Sequence, residues 1–163
     1  MIFILIFIGN INLKKKKKYK ISIRSKIPLK DMSYLFNKCS FYKIMDLSDL
    51  DTSQVTTMEN LFRDCINLEI INFYNLHTDN LINMKAMFES CKNLISIDLS
   101  NFNTDNVTDM SYMFEGCRDL KEINISNFNL KGQCVINQIF DGINKNECKL
   151  ITNDETIKNI FNK

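Results

Sequence analysis

The chain has 163 residues, with 21 Lys and Arg against 19 Asp and Glu, and is 45% hydrophobic and 25% charged. Those proportions are those of an ordinary globular chain, which excludes wholesale disorder. A net charge of +2 excludes binding to nucleic acid over the whole surface. The basic excess is local, in Lys14 to Lys18 with Lys20.

At the start, Met1-Ile-Phe-Ile-Leu-Ile-Phe-Ile8 is apolar. It is far shorter than the roughly 20 residues of a membrane-spanning helix. The lysines come after it, whereas a secretory signal carries its charge in front. Three readings stay open: a truncated start, a weak export signal or anchor, and a capping strand. Membrane association through this segment is left undecided; if it inserts, the lysines hold the rest of the chain in the cytoplasm. Tyr19-Lys20-Ile21 falls in strand register ahead of the first repeat and is expected to add a strand.

From Met32 onward the pattern Met-x-x-Met-Phe-x-x-Cys returns every 26 residues. It runs Met32 to Cys39, Met58 to Cys65, Met84 to Cys91 and Met110 to Cys117, with Phe at 36, 62, 88 and 114. A decayed fifth copy, Ile136 to Ile143, keeps Phe140 in register. An unchanged period without insertions marks one coil per repeat in a stacked superstructure. Before each copy, alternating residues read as a short half-buried strand: Met45 and Leu47, Ile71 and Phe73, Ile97 and Leu99, Ile123 and Ile125. The Met-to-Cys segment reads as a short helix. Asp31, Thr57, Asn83 and Asp109 are good N-caps, and Met110, Met113, Phe114 and Cys117 fall at i, i+3, i+4 and i+7. Between them lies a turn, Thr104 to Val107 in its cleanest form, and this pattern is lost in Asn129 to Val135.

One such unit buries too little apolar surface to offset its chain entropy. Neighbouring copies remedy this by placing Phe on Phe, Cys on Cys and strand beside strand. The expected architecture is an α/β, right-handed solenoid of leucine-rich-repeat type. It has four regular 26-residue repeats and a decayed fifth, each a short strand and a short helix. The expected division is residues 1–18 as leader and polylysine, 19–128 as solenoid, and 129–163 as an irregular C-terminal decayed repeat or cap.

The run Leu94-Ile-Ser-Ile-Asp-Leu-Ser-Asn-Phe-Asn-Thr-Asp-Asn-Val-Thr-Asp-Met-Ser-Tyr-Met-Phe-Glu-Gly-Cys117 resembles the repeat of BspA-like leucine-rich surface proteins. The same repeat occurs in Mycoplasma surface lipoproteins and in protist relatives. The likeness extends from about Asp31 to Phe128. It implies a leucine-rich-repeat-like solenoid, displayed on a cell surface or secreted, that adheres to host, matrix or other cell-surface proteins. Cytoplasmic residence is the alternative, because the N-terminus is a poor export signal.

The residues themselves point away from catalysis. His77 is the single histidine, no Gly-rich phosphate loop occurs, and no Cys-x-x-Cys pair is present. Cys39, Cys65, Cys91 and Cys117 read as a buried column of reduced thiols. Cys134 and Cys148 are free to pair if the chain is exported, and the methionines read as core. Neither an enzyme, a cofactor, a metal nor a nucleic-acid partner is expected. The candidate binding surface is the outward strand face, Asp46 and Ser48, Asn72 and Tyr74, Asp98 and Ser100, Asn124 and Ser126, with a protein as partner. An intracellular leucine-rich-repeat scaffold and an inactive fragment of a longer array are the rival readings.

Overall fold

The computed structural model describes residues 5–13, 16–24, 29–130 and 134–163, with side chains from Leu29 onward. Part of the apolar leader (residues 1–4), Lys14, Lys15 and the tail residues 131–133 lie outside these. Strands β1 (Leu5–Leu13) and β2 (Lys16–Arg24) pair antiparallel in a sheet of their own. Tyr19, Lys20 and Ile21 therefore belong to a hairpin, and the expectation that they extend the main sheet is corrected. The physical reason is length: β1 offers β2 a partner at all nine positions, whereas the first strand of the main sheet has three.

That main sheet holds five parallel strands in sequence order: β3 (Ile44–Asp46), β4 (Ile70–Asn72), β5 (Ser96–Asp98), β6 (Glu122–Asn124) and β7 (Lys149–Ile151). Register partners from β3 to β6 are 26 residues apart, as in Ile44 with Ile70 and Ile97 with Ile123. From β6 to β7 the offset becomes 27, with Ile123 opposite Leu150. The segment expected as a decayed repeat or cap supplies the fifth strand, and one extra residue takes it out of the 26-residue period. A second ladder of parallel bridges links Asp31, Thr57, Asn83, Asp109 and Val135.

The Met-to-Cys segments are turns and not the short helices their spacing suggests. In the first copy, Met32, Tyr34, Phe36 and Lys38 donate their N–H groups to the carbonyls of Thr57, Glu59, Leu61 and Arg63 in the next coil, at 2.7–3.0 Å. Leu35, Asn37 and Cys39 close three-residue steps back to Met32, Tyr34 and Phe36. Two slots per coil take positive φ: Tyr34, Asn60, Ala86, Tyr112 and Gln138 in one, and Lys38, Asp64, Ser90, Gly116 and Gly142 in the other. An α-helix tolerates no such residue. The turn wins because an in-register coil lies alongside to take every second N–H. The expected N-caps keep a capping role at a turn, since Asp31, Asn83 and Asp109 accept the N–H of Ser33, Lys85 and Ser111 at 2.7–2.9 Å.

Equivalent side chains pile into columns. The rings of Phe36, Phe62, Phe88, Phe114 and Phe140 stack with centroids 5.3–6.0 Å apart and planes within 7°. Phe73 sets its edge against Phe62 and Phe88 from the strand side. The apolar i, i+3, i+4, i+7 set is buried as its spacing demands, although the backbone is not helical. The column closes on helix α1 (Glu155–Phe161), whose Asp154 accepts from Thr156 and Ile157 N–H at 2.8 and 3.0 Å. Phe161 meets Phe140 edge-on at 5.1 Å. The chain is thus a solenoid-like α/β stack built on a five-stranded parallel sheet, with one short helix among the described residues.

Phe88 carries a ring on either side, so Phe88→Ala should lower the unfolding free energy by about 3–5 kcal/mol. Phe161→Ala, with one ring neighbour, should cost less. Urea denaturation followed by far-UV circular dichroism checks both.

Candidate interaction surfaces

The eight strand-face residues singled out from sequence form two neighbouring columns. Asp46, Asn72, Asp98 and Asn124 stand at the ends of β3 to β6, with Ser48, Tyr74, Ser100 and Ser126 two residues on. Each Asp or Asn accepts the backbone N–H of its partner: Ser48 to Asp46 at 3.1 Å, Tyr74 to Asn72 at 2.9 Å, Ser100 to Asp98 at 2.9 Å and Ser126 to Asn124 at 3.2 Å. The first column therefore makes the turn that ends each strand. Asp46 is only 8% exposed and also receives Asn72 Nδ2 at 3.1 Å. Burial raises the pKa of Asp98, but hydrogen bonds from Ser100 and Asn124 outweigh it and hold that carboxyl below its ordinary value. Of the eight, Asp98 and Tyr74 are exposed, Tyr74 at 72%.

Beside these columns the strand flank mixes apolar and charged side chains, with Lys43 paired to Glu69 at 2.6 Å in the first coils. Its first three coils expose Phe41, Ile66, Ile70 and Ile95, with Phe41 at 85%. The corresponding slots of the later coils hold Arg118, Asp119, Lys121, Glu122, Lys145, Glu147 and Lys149. There Lys121 pairs with Glu147, and Lys149 with Glu122 at 3.2 Å. Exposed apolar side chains gathered in one place mark contact surfaces more often than scattered ones do. Sequence reasoning missed this flank because it followed the slots that repeat. The usable signal was apolar residues in slots where most other copies are polar or charged.

A second surface runs along the turn ladder. Tyr34 is exposed and Tyr112 half-buried, and both border a shallow groove of about 340 Å³ beside Glu59, Arg63, Lys85 and Glu89. Arg63 Nη2 pairs with Glu89 Oε1 at 2.7 Å. Burial raises the Glu89 carboxyl pKa, with Arg63 opposing and Glu115 adding to the effect.

The interior chemistry is a thiol column. Cys65, Cys91 and Cys117 are buried and donate their S–H to the carbonyls of Phe36, Phe62 and Phe88 in the preceding coil, at 3.0–3.1 Å. All six cysteines are free thiols, Cys134 and Cys148 included. Met32, Met45, Met58, Met84, Met87, Met110 and Met113 are core. His77 lies exposed in a turn, where its backbone N–H and carbonyl bond the hydroxyl of Thr52 at 2.9 and 2.8 Å. Among the described residues no helix is long and apolar enough to cross a membrane.

Stacked coils with a parallel sheet on one side and surface columns along it define a solenoid-type repeat protein. The chain belongs to the family described as "Mycoplasma protein of unknown function, DUF285", whose model matches residues 30–153. Comparison with curated proteins and with solved structures finds no match.

Burial pushes the pKa of the Cys117 thiol up to about 12, and a hydrogen bond with Cys65, with burial, pushes that of Cys91 up as well. Raised folded-state values stabilise the fold fully below the unfolded thiol's 9.0, and that stability is lost as pH rises towards 12. The urea midpoint should therefore fall between about pH 9 and 11, and Cys117→Ala should flatten the fall. Half-buried Cys39 and Cys134 should react with a thiol reagent at about pH 8 before the three column thiols do.

Proposed function

We propose that this chain is a non-enzymatic protein-interaction or adhesion module of a cell-surface repeat protein. On this reading it is a right-handed, leucine-rich-repeat-like solenoid akin to the BspA-like surface proteins. It binds a host, matrix or other cell-surface protein along the strand face of Asp46, Ser48, Asn72, Tyr74, Asp98, Ser100, Asn124 and Ser126. The observation that carries the reading is the exposed apolar flank of Phe41, Ile66, Ile70 and Ile95 beside exposed Tyr74. Tyrosine and desolvated apolar anchors supply most of the energy at protein interfaces. The Asp and Asn column serves mainly to hold the strand ends and gives the surface its regular spacing. Longer arrays of the same unit gain avidity without new contacts.

The second reading is an intracellular scaffold. It is favoured by thiols that act, in reduced form, as backbone hydrogen-bond donors in every interior coil. Protease treatment of intact cells separates the two: removal of an epitope on this chain supports surface display, and full protection supports the scaffold.

For the surface itself, the full chain is immobilised and exposed to a panel of matrix and host-surface proteins. Tyr74→Ala and Phe41→Ser should each weaken the captured partner by about ten-fold or more, the scale of one good anchor. Asp98→Asn should change affinity less. Wild-type affinity in both anchor variants, with the fold intact by circular dichroism, removes the strand face from the proposal.

A further inference from the structure

A third face, at the corner leading into the bridge ladder, carries a shallow groove of about 540 Å³ crossing four coils. Two columns line it: Gln54, Asn80 and Asn106, and beside them Lys30, Thr56, Ile82 and Thr108. The floor is fixed by the backbone, with Thr56, Ile82 and Thr108 donating N–H to Lys30, Thr56 and Ile82 at 2.8–2.9 Å. The side chains are fixed as well. Thr56 Oγ1 donates to the Lys30 carbonyl at 3.2 Å and Thr108 Oγ1 to the Ile82 carbonyl at 3.3 Å. Asn80 and Asn106 donate Nδ2 to the carbonyls of Ser53 and Asp79 at 2.8 and 2.9 Å.

The consequence is chemical. Each threonine hydroxyl donates its one hydrogen along the column to the preceding coil's carbonyl, which leaves its oxygen lone pairs as acceptors. Each asparagine has spent one amide hydrogen and keeps Oδ1 and a second N–H. The groove is thus an acceptor-rich, pre-oriented array, whose ordering entropy is already met by the fold. Among the described residues no carboxylate lines it and Lys30 is its one cation. A basic peptide finds no counter-charge there, and a phosphate polymer finds one cation where it needs one per coil. Ile82, 46% exposed, puts an apolar contact in the middle of the acceptors.

A ligand that fits has many hydroxyl donors, no net charge, C–H faces for Ile82, and a repeat close to the coil spacing of about 4.8 Å. We infer that this groove binds a neutral, extended polysaccharide lying along the stack. The site is separate from the strand face, so the two fail independently.

The test uses the full chain on insoluble cellulose, on chitin and on a printed panel of neutral oligosaccharides. Retention on at least one of these, unchanged between about 50 and 500 mM salt, is expected. Thr56→Val with Thr108→Val keeps shape and removes both hydroxyls. Its floor stays bonded through the backbone N–H groups, so it should fold normally by circular dichroism and bind at least about ten-fold more weakly. Ile82→Glu, a change at an exposed position, should lose binding too, whereas Tyr74→Ala should leave it intact. Retention on none of these glycans overturns the inference. So does binding that collapses with salt, or a Thr56→Val, Thr108→Val double variant that binds as the wild type does.

Discussion

A single coil of this chain has nothing to fold around except the coils beside it. Phe88 is covered by Phe62 and Phe114, and the N–H of every second residue in a turn segment ends on the neighbouring coil. Coil-on-coil register is therefore the constraint on which the other features depend. It also explains the backbone strain: Tyr34, Lys38, Asn60, Asp64, Ala86, Ser90, Tyr112 and Gln138 take positive φ without being glycine. A residue in that region costs of order 1–3 kcal/mol and persists only when its surroundings over-determine it. Here inter-coil hydrogen bonds supply that determination, on both sides in the interior coils and on one side for Tyr34, Lys38 and Gln138. At Gly142 the neighbour is tight as well as the φ positive, because a Cβ there would lie 3.3 Å from Gly116.

The same constraint decides which features were legible in the sequence. A period of 26 was enough to place Phe on Phe, Cys behind Phe and Ile97 beside Ile123, because columns depend on spacing alone. It was not enough to choose between helix and turn. Met110, Met113, Phe114 and Cys117 are buried in either case, and the deciding bonds run to a coil 25 residues away. The decayed fifth repeat was legible, but the register of its strand β7 was hidden by one additional residue, since a fixed period loses register there. The N-terminal hairpin was hidden for another reason: its pairing partner, β1, lay in a segment read as a leader.

The strand-face columns were legible as columns, but their chemistry was not, because an Asp beside a strand looks the same in sequence whether it meets solvent or caps its own backbone. Asp46 illustrates this, holding Ser48 N–H and Asn72 Nδ2 at once while almost wholly covered. The amide columns behave alike: Asn67, Asn80, Asn106 and Asn153 each donate to a carbonyl of the preceding coil. Repeating polar residues in a solenoid are recruited first to hold the coils together.

On the proposed readings, recognition has two sources on such a scaffold. One is the set of positions that break the period, where no neighbour demands a particular residue: Phe41, Tyr74 and Ile95 occupy slots filled elsewhere by Asn67, Ser100 and Lys121. The other is the outward half of the repeating residues, the lone pairs left over once their hydrogens are spent on the preceding coil, as on Thr56 and Thr108. The first source gives a localised apolar anchor suited to a folded protein surface. The second gives a translated array suited to a ligand that itself repeats. A globular domain would need separate structures to hold both geometries at fixed spacing. A stack obtains both from one register, because every column advances along the axis by the same step.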